Sequence, residues 1–490
     1  MQPKAVLHFP TMRKINLIVA LLLFSVSVSF AQQGKKWTLA ECVEYALTNN
    51  IQIKQTELDV KLAAIDKRDA VGRFLPTLNG SANHSWNIGL NQNITTGLLE
   101  NETTQFTSAG LNAGIDIYRG LQNQNQLRRS KLAIIAAQYR LDKMKDDVSL
   151  NVANAFLQIL FNKENLKVQR EQLANNERLM TRTQELVNAG SVPRGDLADM
   201  RATVATSKKA VVDAENVLLI SKLSLAQLLQ IDDFKDFDVA DKDYDLAESP
   251  VMLQTPRAIF EKAKEARNEI KIARANLLVA ERDVKISRGA LQPNLQGYYS
   301  FSTRAAYSDR VIGGVQDPNN PTSVIGTVEG TGQNVLQQNF IPVLGRYEPI
   351  FDQFSENKGH NFGLQLNIPI LNGFAAQNNV ERSKVAVERN KIALSQAELD
   401  LERNVYQAFV DANNALQAYE AAMVAVEARE LAFNYAQERY NVGMMNSFDL
   451  NQAQTLYVNS QSEAVRAKFD YIFSVKVVEF YFGIPINKTQ

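Results

Sequence analysis

The sequence predicts an α+β membrane protein: long antiparallel helical hairpins that carry groups of alternating β-strands. Three observations lead to this. A set of residues recurs at one constant spacing, two long stretches lack both helix-breaking residues, and four other segments alternate apolar with polar side chains.

The repeat comes first, because a missed repeat misassigns a fold. Gln124, Asn125, Arg129, Ser130 and Lys131 recur as Gln377, Asn378, Arg382, Ser383 and Lys384. Glu185, Asn188, Gly190, Asp196 and Leu197 recur as Glu438, Asn441, Gly443, Asp449 and Leu450. The offset is 253 positions throughout (443 minus 190, for example), so an element of fixed length has been duplicated. The chain is therefore expected to form a single elongated unit over 32–490, with internal halves at about 38–249 and 250–484.

Neither 121–189 nor 374–442 contains Gly or Pro, although the 490 residues include 23 Gly and 13 Pro. A random stretch of that length would hold about five. These two residues cost most in a helix interior, so their absence predicts uninterrupted helix. Each such helix would be roughly 100 Å long at 1.5 Å per residue, whereas an ordinary globular helix has about 11–12 residues. After Gly190 and Gly443 the sequence is again favourable, predicting returning helices over 196–230 and 447–482. Each half thus reads as an αα-hairpin. Val405, Phe409, Ala412, Leu416, Tyr419 and Met423 step by threes and fours along one face, a stripe suited to coiled-coil-like packing.

Strands are expected at about 76–94, 106–118, 293–304 and 361–370. In the first, Leu78, Ala82, Trp86, Ile88 and Leu90 alternate with Asn79, Asn83, Asn87 and Asn91. In the last, Phe362, Leu364, Leu366 and Ile368 alternate with Gly363, Gln365 and Asn367. Such alternation fits an antiparallel sheet packed on a core, and it equally fits the wall of a membrane barrel with a wet interior. The Asn-, Ser- and Gln-rich polar face favours the barrel. So do the loops, a polar one near 95–105 and a very long one at roughly 305–360. Lipid forbids an open sheet edge, and four strands cannot enclose a channel, since known barrels start at about eight. The chain would have to pool strands with copies of itself about one axis.

Composition narrows the function classes. There are 53 basic and 53 acidic residues, which leaves no electrostatic footprint for nucleic acid. Met12, Arg13 and Lys14 precede an apolar run from Ile15 to Phe30, which reads as a signal peptide over 1–31 with 1–11 as an upstream extension and Met12 as an alternative start. Cys42 is the single cysteine and is expected in a helix core. His8, His84 and His360 are scattered, so no metal site is expected. No phosphate-binding loop, nucleophile triad or dinucleotide fingerprint occurs, so neither an enzyme nor a cofactor is expected.

Together these features resemble the TolC-like outer-membrane efflux proteins over about 37–484. The opening from Trp37 to Leu47 is similar to that family's first helix. Leu75-Pro76-Thr77-Leu78 and Gln292-Pro293-Asn294-Leu295 match its strand entries, and Asn441-Val442-Gly443 with Asp449-Leu450 matches its second turn. The resemblance implies a homotrimer in the outer membrane of a Gram-negative bacterium. Four strands per protomer would contribute to a shared 12-stranded barrel, and the helical hairpins would form a periplasmic α-barrel. The implied function is a passive exit duct of a tripartite efflux or type I secretion system, receiving cargo from an inner-membrane pump through a periplasmic adaptor. The alternative is a secreted or outer-membrane-associated helical scaffold without channel activity.

The resemblance also selects residues. The tips Asn188, Ala189, Gly190, Ser191 and Val192, and Asn441, Val442, Gly443, Met444 and Met445, would meet the adaptor. The glycines have a sufficient structural reason as well, because each can end a helix at positive φ. Tyr440 matches a tyrosine that helps hold the family's gate closed. Asp449 falls at an acidic constriction ring, and Gln452 stands where a second carboxylate is expected, which would weaken that ring. Asp196 and Asp199 are the corresponding pair in the first repeat. An acid in a first helical turn also simply complements the helix dipole. The arginine expected on the second tip is replaced by Met445, with Arg194 on the first tip as a candidate substitute.

Overall fold

The computed structural model describes residues 36–92, 97–232, 236–241 and 249–486. The signal-peptide segment, read from the sequence over 1–31, lies outside them. In chain order the elements are β1 (Lys36–Trp37), α1 (Leu39–Asn49), α2 (Ile51–Gly72), β2 (Thr77–Gln92), β3 (Leu99–Arg119), α3 (Gln122–Asn188), α4 (Arg194–Leu229) and β4 (Asp238–Val239). A 3-10 turn, Pro250–Leu253, leads into α5 (Pro256–Ala266), α6 (Asn268–Gly289) and β5 (Asn294–Ala306). Then come β6 (Arg310–Gln316), β7 (Thr322–Thr327), β8 (Asn334–Gln338), β9 (Phe340–Gly345), α7 (Ile350–Glu356), β10 (Gly359–Asn367), α8 (Ala375–Asn441) and α9 (Ser447–Phe482).

The duplication runs through the backbone. Helices α3 and α8 each have 67 residues, and α4 and α9 each have 36, with all four pairs of ends 253 positions apart. The left-handed residues match too: Gly120 and Leu121 with Gly373 and Phe374, Gly190 with Gly443, Gln230 with Gly483. A second offset lies upstream. Helices α1 and α5 have 11 residues and α2 and α6 have 22, and these pairs are 217 positions apart (256 minus 39). Thr38 and Thr255 cap α1 and α5, each accepting a hydrogen bond from a first-turn amide. The two offsets differ by 36 residues (253 minus 217), and those residues lie between β5 and β10.

The chain divides into two compact units. One comprises residues 64–132 and 278–388 and holds a four-stranded antiparallel sheet in the order β10-β5-β3-β2. Registers Leu78↔Ala113, Ala113↔Tyr299 and Tyr299↔Phe362 put Leu78, Tyr299 and Phe362 on one face. Leu78, Trp86, Ile88, Phe362, Leu364 and Leu366 on that face are 59–84% exposed. Asn79, Asn112, Ser300 and Asn361 line the other face. The outer edges of β2 and β10 pair with no strand among the described residues. Helices adjoin one end of the sheet, and there Gly120 and Gly289 approach so closely that a Cβ on Gly120 would collide with the Gly289 carbonyl. Leu99–Gln105, read from sequence as loop, instead pairs with Trp86–Gln92. The segment read as one long loop contains β6–β9, paired as β6-β9 and β7-β8.

The other unit contains the remaining helical segments and two repeat-related cores. In one, Cys42, Val43 and Ile53 pack with Val148, Val152, Phe156 and Ile159, and with Leu225 and Leu229. In the other, Ile259, Phe260 and Ile270 pack with Leu401, Val405 and Ala412, and with Val478. Cys42 is fully buried and occupies the position held by Ile259 in the second half, so its thiol acts as a small apolar group. Arg267 is only 5% exposed, and its guanidinium lies 3.7 Å from the Phe480 ring centroid and 3.2 Å from Asp146.

A lysine clip holds the short β1-β4 pair. Lys163 Nζ lies 2.9 Å from Asp238 and 2.6 Å from Asp241, and donates to the Val239 carbonyl at 2.7 Å. Lys222 adds a second ion pair to Asp238, and Lys36 one to Asp241. Burial would raise the Asp238 carboxyl, but hydrogen bonds from Lys222 and Lys163 outweigh it and hold the group below its ordinary value. A lowered native pKa adds stability above the unfolded value, near pH 4, and loses it as pH falls through the native value. Lys163→Ala is expected to cost about 1–2 kcal/mol, moderated because water still reaches the carboxylates. Thermal unfolding of the two proteins at pH 7 and pH 3 checks this: the gap should narrow at the lower pH.

Candidate functional site

The two hairpin turns are built alike. At the first, the Ser191 amide donates to the Leu186 carbonyl at 2.9 Å and the Gly190 amide to Val187 at 3.0 Å. At the second, Met444 donates to Arg439 at 2.8 Å and Gly443 to Tyr440 at 3.0 Å. These are Schellman closures, and they require a left-handed residue just after the helix. Gly190 and Gly443 supply it with φ of 72° and 75°.

Their surfaces differ. Val442 is 69%, Met444 71% and Phe448 72% exposed, forming an apolar tip. The first tip has Ala189, Ser191 and Gly195 at the corresponding positions. Asn188 is exposed and accepts a hydrogen bond from Gln184. Asn441 is exposed, and Val192 and Met445 are half-buried.

Tyr440 does not face solvent. It is 2% exposed and packs with Leu179, Met200, Phe433, Ala436 and Leu450. Its hydroxyl lies 2.8 Å from Thr183 Oγ1, and Thr183 itself donates to the Leu179 carbonyl at 2.9 Å. Tyr440 Oη is therefore the donor. This bond ties α8 to α3, one half of the repeat to the other. The first half has Val187 at the matching position.

None of the acids belongs to this cluster, although Asp199 and Asp449 adjoin its Met200 and Leu450 in the chain. Asp196 and Asp449 lie in the first turns of α4 and α9, where a negative charge complements the helix dipole. The Asp449 amide donates to the Asn446 side chain at 2.8 Å. Asp449, Asp199 and Gln452 are exposed, and Asp196 is half-buried. Among the described residues, the three carboxylates make no ion pair. The structure joins Tyr440 to Thr183 and not to any of these acids.

Sequence reasoning missed a polar seam above this cluster. Asn176 is 1% exposed and donates to Ser207 Oγ at 2.6 Å. Asn451 Nδ2 donates to Thr203 Oγ1 at 3.1 Å. Gln454 is 1% exposed, and neither its Oε1 nor its Nε2 has a partner. An amide buried in this way costs about 1–3 kcal/mol. Nothing in the local sequence marks Gln454 as buried. Among the described residues, no group of three or more His, Cys, Asp or Glu is arranged to hold a metal ion, and no helix is long and apolar enough to cross a membrane.

Paired hairpins, glycine-closed turns and a one-sided apolar sheet together define an outer-membrane efflux architecture. Residues 42–229 and 259–475 match the family described as outer membrane efflux protein, and the chain belongs to that family. It is 25% identical over 270 residues to the pyoverdine export outer membrane protein OpmQ of Pseudomonas aeruginosa, a match covering 54% of this chain and 56% of that relative's length. It is 20% identical over 464 residues to the outer membrane efflux protein BepC of Brucella suis, covering 93% of this chain and 88% of BepC. The CmeC outer membrane channel of Campylobacter jejuni has a similar fold, with a TM-score of 0.73, 18% identity, and coverage of 91% of this chain and 86% of CmeC. The outer membrane protein VceC of Vibrio cholerae gives a TM-score of 0.69 at 14% identity, covering 91% and 96%.

Proposed function

We propose that the protein is the outer-membrane exit duct of a tripartite efflux or type I secretion system, passively conducting cargo from an inner-membrane pump and periplasmic adaptor to the exterior. Three copies would pool their four strands into a 12-stranded barrel, and their helical hairpins would form an α-barrel in the periplasm. One observation carries the reading: the β10-β5-β3-β2 sheet has an exposed apolar face, an Asn/Ser face and two edges that pair with no strand among the described residues. Such a sheet is satisfied in lipid only when its edges are closed by other strands. Native mass spectrometry of detergent-extracted protein, followed by planar-bilayer recording, tests this. Trimers that conduct support the duct, whereas a non-conducting monomer supports the scaffold reading.

The tips at 188–192 and 441–445 would dock the adaptor, with the second contributing most of the apolar contact. Exposed Met is adaptable in such a role. Met444→Lys combined with Phe448→Lys is expected to leave trimer mass and thermal midpoint unchanged while reducing export at least tenfold. Unaltered export in the double variant would remove the second tip from the docking surface. Asp196, Asp199, Asp449 and Gln452 would line the constriction near Tyr440. With Gln452 in place of a carboxylate, cation selectivity would be weak.

A further inference from the structure

The 36 residues that the second half has and the first lacks form an arm between β5 and β10. Strand β6 pairs with β9, and β7 with β8 inside them. The Asp317 amide donates to the Asn339 carbonyl at 2.9 Å, and the Asn339 amide to Pro321 at 3.1 Å, which joins the two ladders into one ribbon. Its side chains are unlike those of an ordinary surface hairpin. Val315, Ile325, Leu336, Phe340, Ile341 and Leu344 are 47–61% exposed. From Val311 to Leu344 the only charged residues are Asp317 and Glu329. A two-stranded ribbon alone is marginal in water, and an apolar one with free edges invites another strand.

We propose that this arm is a self-association device: the arms of copies in one assembly pack on each other across the outer mouth of the barrel and cap it. The proposal rests on the trimeric reading above. The first argument is placement. The arm leaves and re-enters the sheet at the end opposite α2, α3, α6 and α8, and it returns by way of α7 into β10, an edge strand whose outer side pairs with no strand among the described residues. Any ring that closes those edges brings the arms to one mouth. The second is charge. Arms with so few ionised groups meet without like-charge repulsion, and a lipid surface with anionic headgroups would find no Lys or Arg between 311 and 344. The third is reach. About 18 residues per side at ~3.3 Å give an arm of roughly 60 Å, against a radius of about 12 Å for twelve strands ~4.8 Å apart and tilted.

The test uses full-length protein carrying Ile325→Cys or Leu336→Cys, with native Cys42 fully buried. Both are treated with a short bis-maleimide in dilute detergent solution, and trimer content is read separately by native mass spectrometry. The expected result is covalent dimers, the largest product that one reactive thiol per copy can give with a two-ended reagent, with labelling by a polar maleimide at least tenfold slower than at a Glu329→Cys control. Trimers by mass with no cross-link at either position overturn the cap alone. Particles larger than three copies by native mass after cross-linking also overturn it, since they report links between assemblies. Absence of trimers by mass overturns the cap together with the reading beneath it.

Discussion

Replacing Tyr440 by Phe is expected to raise single-channel conductance or open probability without unfolding the protein. The substitution keeps the ring among Leu179, Met200 and Leu450 and removes only the bond to Thr183. Thr183 stays satisfied through the Leu179 carbonyl, so no buried donor is orphaned. The loss is then about 1 kcal/mol per copy. Three copies acting together give about 3 kcal/mol, roughly a hundredfold in the open-to-closed ratio. Tyr440→Ala adds a cavity costing about 3–5 kcal/mol and should open the duct further while lowering the thermal midpoint. Gln454→Leu should act in the opposite sense. It replaces an unpartnered buried amide with an apolar side chain of similar volume, stabilising the packed state by about 1–3 kcal/mol. Planar-bilayer recording of all three variants reads the sign. Unchanged conductance in the Phe variant removes Tyr440 from the gate, and increased conductance in the Leu variant removes the seam.

Gly443→Pro is expected to abolish export while leaving trimers intact. The turn needs φ of 75° at this residue and uses its amide to close on the Tyr440 carbonyl. Proline fixes φ near −65° and has no amide hydrogen, so the closure is lost. The helices should persist, because their large cores at Val152, Phe156, Val405 and Val478 involve other parts of the rods. Gly443→Ala is the graded comparison. A Cβ there meets nothing within 4 Å, so only left-handed strain remains, about 1–2 kcal/mol, and export should fall modestly. If Gly443→Pro prevents trimer formation, the turn is structural rather than a docking element.

The helix-and-sheet character of the fold was legible because helix breakers are expelled from long rods and concentrated at their ends. Gly190 and Gly443 mark both the reversal and its conformation. The apolar sheet face was legible for the same kind of reason: alternation at Leu78, Trp86, Phe362 and Leu366 survives in one dimension. The pairing of Leu99–Gln105 was not, because Asn101, Glu102, Thr103 and Thr104 are polar on both faces and erase the period of two. The offset of 217 was hidden because α1 and α5 share lengths and caps more than residue identities. Contacts across the repeat were least accessible. Tyr440 and Thr183 stand 257 positions apart, and the 1% exposure of Gln454 follows from tertiary packing rather than from its neighbours in the chain. The acids at 196, 199 and 449 were visible as first-turn charges, and a pattern of that kind does not reveal which groups Tyr440 touches.

Imaging of the detergent-extracted full-length protein by single-particle electron microscopy tests the central claim most directly. The account predicts three copies about one axis, twelve strands closed with four from each copy, and a hollow helical shaft on one side of the membrane belt. A barrel sealed by the strands of a single copy, or a particle with no hollow shaft, would contradict it.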